Sequence, residues 1–215
     1  MIITIDGPAG SGKSTVARAL ARRLGFRFLD TGAMYRAVAL AGVRDGVDFD
    51  RPDQLAQLAE MIEIDVSEDR VLLDGQDVTQ AIRSSEVTAA TRHAADDPAV
   101  RDRLVRLQRE AAAGQSIVTE GRDQGSVVFP DAPCKFFLTA GPEERARRRL
   151  NDLQAQGESA TLEAVLEAQQ RRDSEDTGRP VGPLVRAADA IEVCTDRMSL
   201  EEVVDRLESI VRKSL

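Results

Sequence analysis

The chain has 215 residues, 42% of them hydrophobic and 31% charged, a composition typical of globular proteins and not of disordered or fibrous ones. Its formal net charge of −8 argues against binding to nucleic acid, because proteins that grip the phosphate backbone carry a basic surface. No apolar run approaches the ~20 residues that cross a bilayer, so we expect no membrane partner. The length predicts one domain over residues 1–215, with room for an insertion.

The amino terminus and the cysteines indicate the compartment. The first ten residues, MIITIDGPAG, lack the basic segment and long apolar stretch of a signal peptide. Cys134 and Cys194 are too few for a disulfide framework, and both fall in predicted strands, where we expect small core residues. We therefore expect a cytoplasmic protein, and a monomer, since no apolar helix suited to oligomer formation is evident.

The predicted elements begin with short strands that alternate with amphipathic helices. The β-branched run 2–5 is a strand that ends at Asp6-Gly7, and apolar residues recur with helical spacing from 14 to 24. A second strand covers 26–29. Thr31 then stands where a helix cap is expected, before a helix over 32–44.

The interval 45–95 breaks this alternation. A helix near 53–61 is followed by the runs IEIDV and RVLL, which are separated by a polar turn and suggest a hairpin. We interpret this interval as a small α/β insert. Beyond it, strands are predicted at 116–119, 135–139 and 190–195, and helices at 98–113, 142–156, 161–173 and 199–213. Strands separated by helices predict an α/β fold with a parallel sheet covered by helices on both faces.

The strongest motif is a complete G-x-x-x-x-G-K-S that follows the first strand and opens the first helix. In such a loop, glycines allow consecutive backbone N–H groups to point at a phosphate beside the positive end of a helix. The lysine bridges the β- and γ-phosphates of ATP, and the serine hydroxyl is a ligand of Mg²⁺. The residues that fill these positions are Gly7, Pro8, Ala9, Gly10, Ser11, Gly12, Lys13 and Ser14.

The remaining sequence narrows the class of nucleotide-binding protein. No Asn-Lys-x-Asp guanine-recognition motif is present, which argues against a switch GTPase. A motor or transporter ATPase would normally be larger and would carry an apolar strand ending in an aspartate for magnesium. Here the third core strand ends at Thr119-Glu120, and Glu120 could fill part of that role. The small size favours a simple transferase.

Four arginines stand at what the pattern predicts to be loop positions near strand ends. Arg36, Arg122, Arg172 and Arg179 are candidates to bind a second phosphate group, because planar guanidinium groups bind a dianionic phosphate bidentately. An acceptor that is already ionised needs no strong general base, so charge neutralisation and in-line positioning would supply most of the catalysis.

Five stretches together resemble the bacterial cytidylate kinase (CMP kinase) family over nearly the whole chain. They are IDGPAGSGKST at the start, LDTGAMYR at 29–36, EGRDQGSVVFPDA at 120–132, RRDSEDTGRPVGPL at 171–184 and AADAIEV near the end. The resemblance implies ATP- and Mg²⁺-dependent phosphorylation of CMP or dCMP, with these nucleotides as the small-molecule partners. It also implies a five-stranded parallel sheet flanked by helices, a nucleoside-monophosphate-binding insert over 45–95 and a helical lid over 143–179.

The resemblance further implies roles for individual residues. Arg36, Arg122 and Arg179 would bind the acceptor phosphate, with Thr31 nearby. Asp176, assisted by Arg172, would hold the ribose. The cytosine edge would be recognised by Thr91, Arg101 and Asp123. Arg147 would belong to the lid over ATP and would act in catalysis together with Lys13, Arg122 and Arg179, and Thr15 would extend the ATP-binding loop.

Two rival hypotheses remain open from the sequence. One is a P-loop kinase that phosphorylates a hydroxyl group, as shikimate and gluconate kinases do, with Asp30 or Asp123 as the general base. The other is a regulatory module that binds ATP without transferring its phosphate. The identity of the phosphate acceptor separates the three hypotheses.

Overall fold

The computed structural model describes residues 1–155 and 157–213, which form two compact units. The first unit comprises residues 1–26 and 118–215, and the second comprises residues 27–117. Within the described ranges, no helix combines the length and the apolar character that a membrane crossing requires.

The main sheet has five strands, and its order confirms the predicted α/β architecture. The strands are β1 (Ile2–Asp6), β2 (Arg27–Asp30), β6 (Ile117–Gly121), β7 (Cys134–Thr139) and β8 (Ile191–Cys194), in the order β2-β6-β1-β7-β8. The pairs β1–β7 and β7–β8 are parallel, with Ile3 opposite Cys134 and Phe136 opposite Ile191. Because β8 lies at the edge, Cys194 is exposed, so the prediction that it is a core residue was wrong, whereas Cys134 is buried.

The helices of the first unit flank this sheet. They are α1 (Lys13–Leu24), α6 (Pro142–Ala155), α7 (Leu162–Gly178) and α8 (Leu200–Arg212). Helix α8 packs on α1, and α6 packs on α7. The predicted helix over 142–156 ends at Ala155 in the described residues, because position 156, like 214 and 215, lies outside them.

The second unit is built around a separate apolar core. Its helices are α2 (Thr31–Arg44), α3 (Pro52–Met61), α4 (Ser85–Asp96) and α5 (Pro98–Ala112), with a short 3₁₀ turn at Ala81–Arg83. Buried side chains of α2, including Ala37 and Val38, pack against residues of α3, α4 and α5. The predicted hairpin is confirmed, since β3 (Ile64–Val66) and β4 (Val71–Leu73) pair in antiparallel fashion, and β5 (Gln76–Asp77) extends them to three strands.

The start of α2 differs from the prediction. The capping residue is Asp30, whose Oδ1 accepts a hydrogen bond from the Ala33 N–H at 3.0 Å, so Thr31 is the first helical residue and not the cap. Both residue types cap helices well, but a cap needs extended backbone, and Asp30 as the last residue of β2 has it. Thr31 is buried.

Candidate active site

The phosphate-binding loop has the predicted form. Gly7 and Gly10 adopt positive φ angles of 145° and 78°. A Cβ atom at position 7 would lie 2.1 Å from the Leu138 carbonyl oxygen of β7, so only glycine fits there. Gly12, at φ 88°, precedes the first residue of α1, and the N–H groups of the first helical turn lack partners within the helix. The loop is therefore a ready anion site at a helix N-terminus.

Lys13 lies inside this loop and is almost fully buried. Its Nζ donates to the Pro8 carbonyl at 2.8 Å. Burial, together with the positive charges of Arg122 and Arg172, lowers the pKa of Lys13 to about 7, against the opposing effects of Glu120 and Asp6. An anion bound in the loop would favour the protonated ammonium group.

Ser14 and Glu120 form the second element of the site. The Ser14 hydroxyl donates to Glu120 Oε1 at 2.9 Å, which brings the end of β6 against the start of α1. A hydroxyl beside a buried carboxylate is an oxygen donor pair of the kind that Mg²⁺ prefers. The residues present therefore fit the predicted ion.

Arg122 and Arg179 share one buried carboxylate. Arg122 Nε lies 2.7 Å from Asp176 Oδ2, and Arg179 Nη2 lies 2.6 Å from Asp176 Oδ1. Although burial raises the pKa of Asp176, the charges of Arg122, Arg179 and Arg172 lower it overall. Burial conversely lowers the pKa of Arg122, but Asp176 and Glu120 raise it overall. Asp176 therefore holds both guanidinium groups in place.

Two of the four arginines lie in helices, which agrees with the helices predicted over 32–44 and 161–173 and contradicts the loop positions predicted for these arginines. Arg36 lies within α2 and Arg172 lies within α7, whereas Arg122 directly follows β6 and Arg179 follows α7. Helix α7 is longer than predicted because the residues that it buries beyond Val165 are Gln169 and Asp176. A helix with a polar buried face has no apolar periodicity to reveal where it ends.

The second unit contains its own group of predicted site residues. Arg36 Nη1 donates to Thr88 Oγ1 at 2.8 Å and to the Ile82 carbonyl at 3.3 Å. The buried Arg101 lies over the ring of Tyr35, with Cζ 5.8 Å from the ring centroid. The Thr91 hydroxyl donates to the Val87 carbonyl within α4 at 2.6 Å.

Among the arginines of α6, the structure distinguishes a buried one from an exposed one. Arg147 has 60% of its side chain exposed and pairs with Glu144 at 2.7 Å. Arg145 is buried, donates to the Ala9 carbonyl of the phosphate-binding loop at 3.0 Å and pairs with Asp173 of α7 at 2.7 Å. No sequence signal separates these two arginines, because arginine is the ordinary cation of this chain.

These features define a P-loop phosphotransferase fold, and comparisons with known proteins identify its family. The family model described as cytidylate kinase matches residues 3–213. The cytidylate kinase of Rhodopirellula baltica is 52% identical over 213 residues, covering 99% of this chain and 93% of that protein. The one from Geobacter sulfurreducens is 48% identical over 217 residues, with 99% and 93% covered. The chain belongs to the cytidylate kinase family, which confirms the resemblance predicted from sequence.

Solved structures of lower identity resemble the chain in fold alone. An uncharacterized protein from Eubacterium ventriosum superposes with a TM-score of 0.56 at 15% identity, covering 99% of this chain and 98% of that one. The shikimate kinase of Bacteroides thetaiotaomicron gives a TM-score of 0.50 at 15% identity, with the same coverage of 99% and 98%. The relatives at far higher identity are cytidylate kinases, so the hypothesis of a hydroxyl-directed kinase is not favoured.

Proposed function

We propose that the enzyme transfers the γ-phosphate of ATP to CMP or dCMP, which yields ADP and CDP or dCDP. The observation that carries the proposal is the placement of Lys13 within electrostatic reach of Arg122 and Arg172, in a chain of the cytidylate kinase family. The phosphate-binding loop can bind one anion, and the pair Arg122 and Arg179 can bind a second. Two phosphorylated nucleotides satisfy both.

The residues of the first unit would act mainly through charge. Lys13 would follow the phosphoryl group during transfer, and Arg122 and Arg179 would neutralise the acceptor phosphate. Because that phosphate is already ionised, none of the carboxylates is needed as a general base. ATP would bind along the loop formed by Gly7, Pro8, Ala9, Gly10, Ser11, Gly12, Lys13, Ser14 and Thr15, with Arg147 contributing from the lid.

The residues proposed to bind CMP are those that the family resemblance assigns to the acceptor. In the second unit, Thr31 and Arg36 would serve the phosphate, and Thr91 and Arg101 would serve the base. In the first unit, Asp123 would recognise the base, and Asp176 with Arg172 would hold the ribose. The buried position of Arg101 supports its assignment, because a buried guanidinium group gains most from a specific hydrogen-bonding partner.

Magnesium would be held by Ser14, with Glu120 beside it. The ion supplies charge neutralisation on the β- and γ-phosphates when it is bound. The hydrogen bond between Ser14 and Glu120 supports this role, since it fixes the hydroxyl oxygen at the mouth of the loop. Residues 45–95 as the CMP-binding insert, 143–179 as the lid, one kinase domain over 1–215, a monomeric state and a cytoplasmic location all stay predictions.

An acceptor comparison tests the proposed function. ATP consumption is measured with CMP, dCMP, UMP, AMP and a set of small hydroxy acids, and products are identified by chromatography. We expect turnover with CMP and dCMP. Turnover of a hydroxy acid without turnover of CMP would establish the hydroxyl-directed kinase instead, and ATP binding without any product would establish the regulatory module.

Replacing Arg101 with methionine should impair CMP recognition selectively. Methionine keeps the length of the side chain but removes the guanidinium donors, so we expect the KM for CMP to rise by about 10- to 100-fold, the effect of losing one or two charged hydrogen bonds. The KM for ATP should change little. Steady-state kinetics with each substrate varied in turn measures both, and equal effects on the two constants would place Arg101 outside the base site.

The lowered pKa of Lys13 predicts that ATP binding takes up a proton. With a pKa of about 7 in the free protein, Lys13 is mostly neutral at pH 8. Bound phosphate favours the ammonium form and raises this pKa, so close to one proton should be taken up at pH 8, and ATP affinity should fall as the pH rises above 7. Calorimetric titrations in two buffers of different ionisation enthalpy measure the uptake. Identical heats in both buffers would contradict the prediction.

A further inference from the structure

The carboxylate of Asp6 joins two distant parts of the chain. Asp6 is the last residue of β1, directly before the phosphate-binding loop, and is 4% exposed. Its Oδ1 accepts a hydrogen bond from the Gln124 N–H at 2.9 Å, and its Oδ2 accepts one from the Gly125 N–H at 2.7 Å. Both oxygens therefore bind consecutive backbone N–H groups that lie 118 and 119 residues away along the chain.

These N–H groups begin a single π-helical turn at Gln124–Val128, immediately after Arg122 and Asp123. The first N–H groups of a helical turn have no partner within it, so a partner must come from elsewhere. Asp123, the residue before the turn, makes no capping hydrogen bond with its side chain. The carboxylate of Asp6, on β1, accepts the hydrogen bonds from these N–H groups.

The π-helical turn also packs closely against β1. A Cβ atom at position 125 would lie 2.9 Å from Thr4 Oγ1 and 3.4 Å from Asp6 Oδ2, so the backbone of Gly125 rests directly on β1. The buried Gln124 side chain accepts a hydrogen bond from Thr119 Oγ1 at 3.0 Å. These contacts fix the segment 119–125 against strand β1, which ends at the start of the phosphate-binding loop.

Residues of this segment are tied to three different elements. Glu120 accepts from Ser14 of α1, Arg122 pairs with Asp176 of α7, and Gln124 and Gly125 bind Asp6 of β1. The first two contacts involve groups that would have to engage magnesium and the acceptor phosphate. The contact with Asp6 involves the backbone N–H groups of Gln124 and Gly125, which are not among the residues proposed to bind a nucleotide.

We propose that Asp6 is a positioning residue, which fixes the backbone after β6 so that Arg122 and Asp123 stand in register with the phosphate-binding loop. The proposal rests on the proposed function for its kinetic consequence. Asp6 would act through this backbone and not through a nucleotide contact of its own. Displacing reactive groups by as little as 1 Å can lower the rate by about 100-fold, so loss of the hydrogen bonds from Asp6 should slow phosphoryl transfer.

The charges around Asp6 suit this role. Burial, together with the nearby Asp123, raises its pKa to about 6, against the lowering effects of the two backbone hydrogen bonds and Lys13. Above pH 6 the carboxylate is ionised and can accept from both N–H groups. The negative charge of Asp6 also raises the pKa of Arg122.

The test replaces Asp6 with asparagine, which keeps the shape but leaves only one acceptor oxygen. We expect kcat/KM for CMP to fall by about 100-fold while the KM for ATP stays within about threefold of the wild type. The matched control is Glu202→Gln, which removes a carboxylate from a backbone N–H at the start of α8, where Glu202 Oε2 accepts from Ser199 at 2.8 Å. Unfolding by urea reports the stability of both variants.

Amide hydrogen exchange provides a readout that does not depend on turnover. In Asp6→Asn, the amides of 124–128 should exchange much faster than in the wild type, and those of the second unit should not change. Unchanged exchange in this segment, unchanged kinetics with CMP, or a parallel loss for both substrates that matches the loss of stability would each overturn the proposal. A wild-type enzyme without CMP turnover would instead overturn the proposed function, and the exchange result would still decide whether Asp6 anchors the segment.

Discussion

Replacing Lys13 with alanine should lower kcat by about 10³-fold or more, with a smaller effect on the KM for CMP. The ammonium group is buried against the Pro8 carbonyl in the middle of the loop, where water screens its charge poorly. Its largest contribution should come as charge develops on the transferred phosphoryl group, and an interaction made in the transition state raises kcat more than it lowers KM. Single-turnover and steady-state rates with ATP and CMP measure the loss.

The chain offers a matched control, because it contains only two other lysines. Lys213 follows the last turn of α8 and is exposed, so Lys213→Ala should leave the rates unchanged. Circular dichroism and thermal unfolding show whether each variant is folded. A folded Lys13→Ala enzyme that retains more than about a tenth of the wild-type kcat would contradict the role given to Lys13.

Replacing Arg122 with leucine should lower kcat/KM for CMP by about 10³-fold, within the range seen when an arginine that stabilises a transferred phosphoryl group is lost. Leucine removes one of the two guanidinium groups that pair directly with the buried carboxylate of Asp176. The acceptor phosphate would lose a bidentate partner and would meet a less neutralised carboxylate. The KM for ATP should change far less.

An exposed ion pair supplies the comparison for this variant. Arg186 lies 3.6 Å from Glu192, and about half of each side chain is exposed, so Arg186→Leu should change neither kinetic constant measurably. The double variant Arg122→Leu with Asp176→Asn would show whether part of the loss comes from the unbalanced carboxylate. Normal CMP turnover by Arg122→Leu would refute a role for Arg122 at the acceptor phosphate.

Much of the fold was predictable because its signals are local. The strand 2–5, the glycine-rich loop and the helix after it follow one another within 24 residues, and each has its own pattern of side chains. The hairpin of the second unit was equally visible from two apolar runs around a polar turn. The roles of the site residues followed from the resemblance and remain predictions for the kinetic experiments.

Other features depend on contacts that no local pattern encodes. Helix α4 was missed because its buried residues are Val87 and three alanines, whose small side chains give a weak apolar stripe, although Ser84 caps it by accepting from the Val87 N–H. The helices that hold Arg36 and Arg172 were predicted over 32–44 and 161–173, so the loop positions assigned to these two arginines conflicted with the helical patterns around them. Asp6 gave no sign of its role, because its partners lie 118 and 119 residues away and are backbone groups.

One face of helix α7 contacts both Arg145, which binds the phosphate-binding loop, and Arg122. Gln169 and Asp173 contact Arg145, which holds the Ala9 carbonyl, and Asp176 binds Arg122 one turn later. Because these three positions recur every three or four residues, deleting a single residue between 169 and 176 would rotate the later contacts by about 100° about the helix axis. The length of α7 is thus as tightly constrained as its side chains, and homologous enzymes should vary there by substitution and not by insertion or deletion.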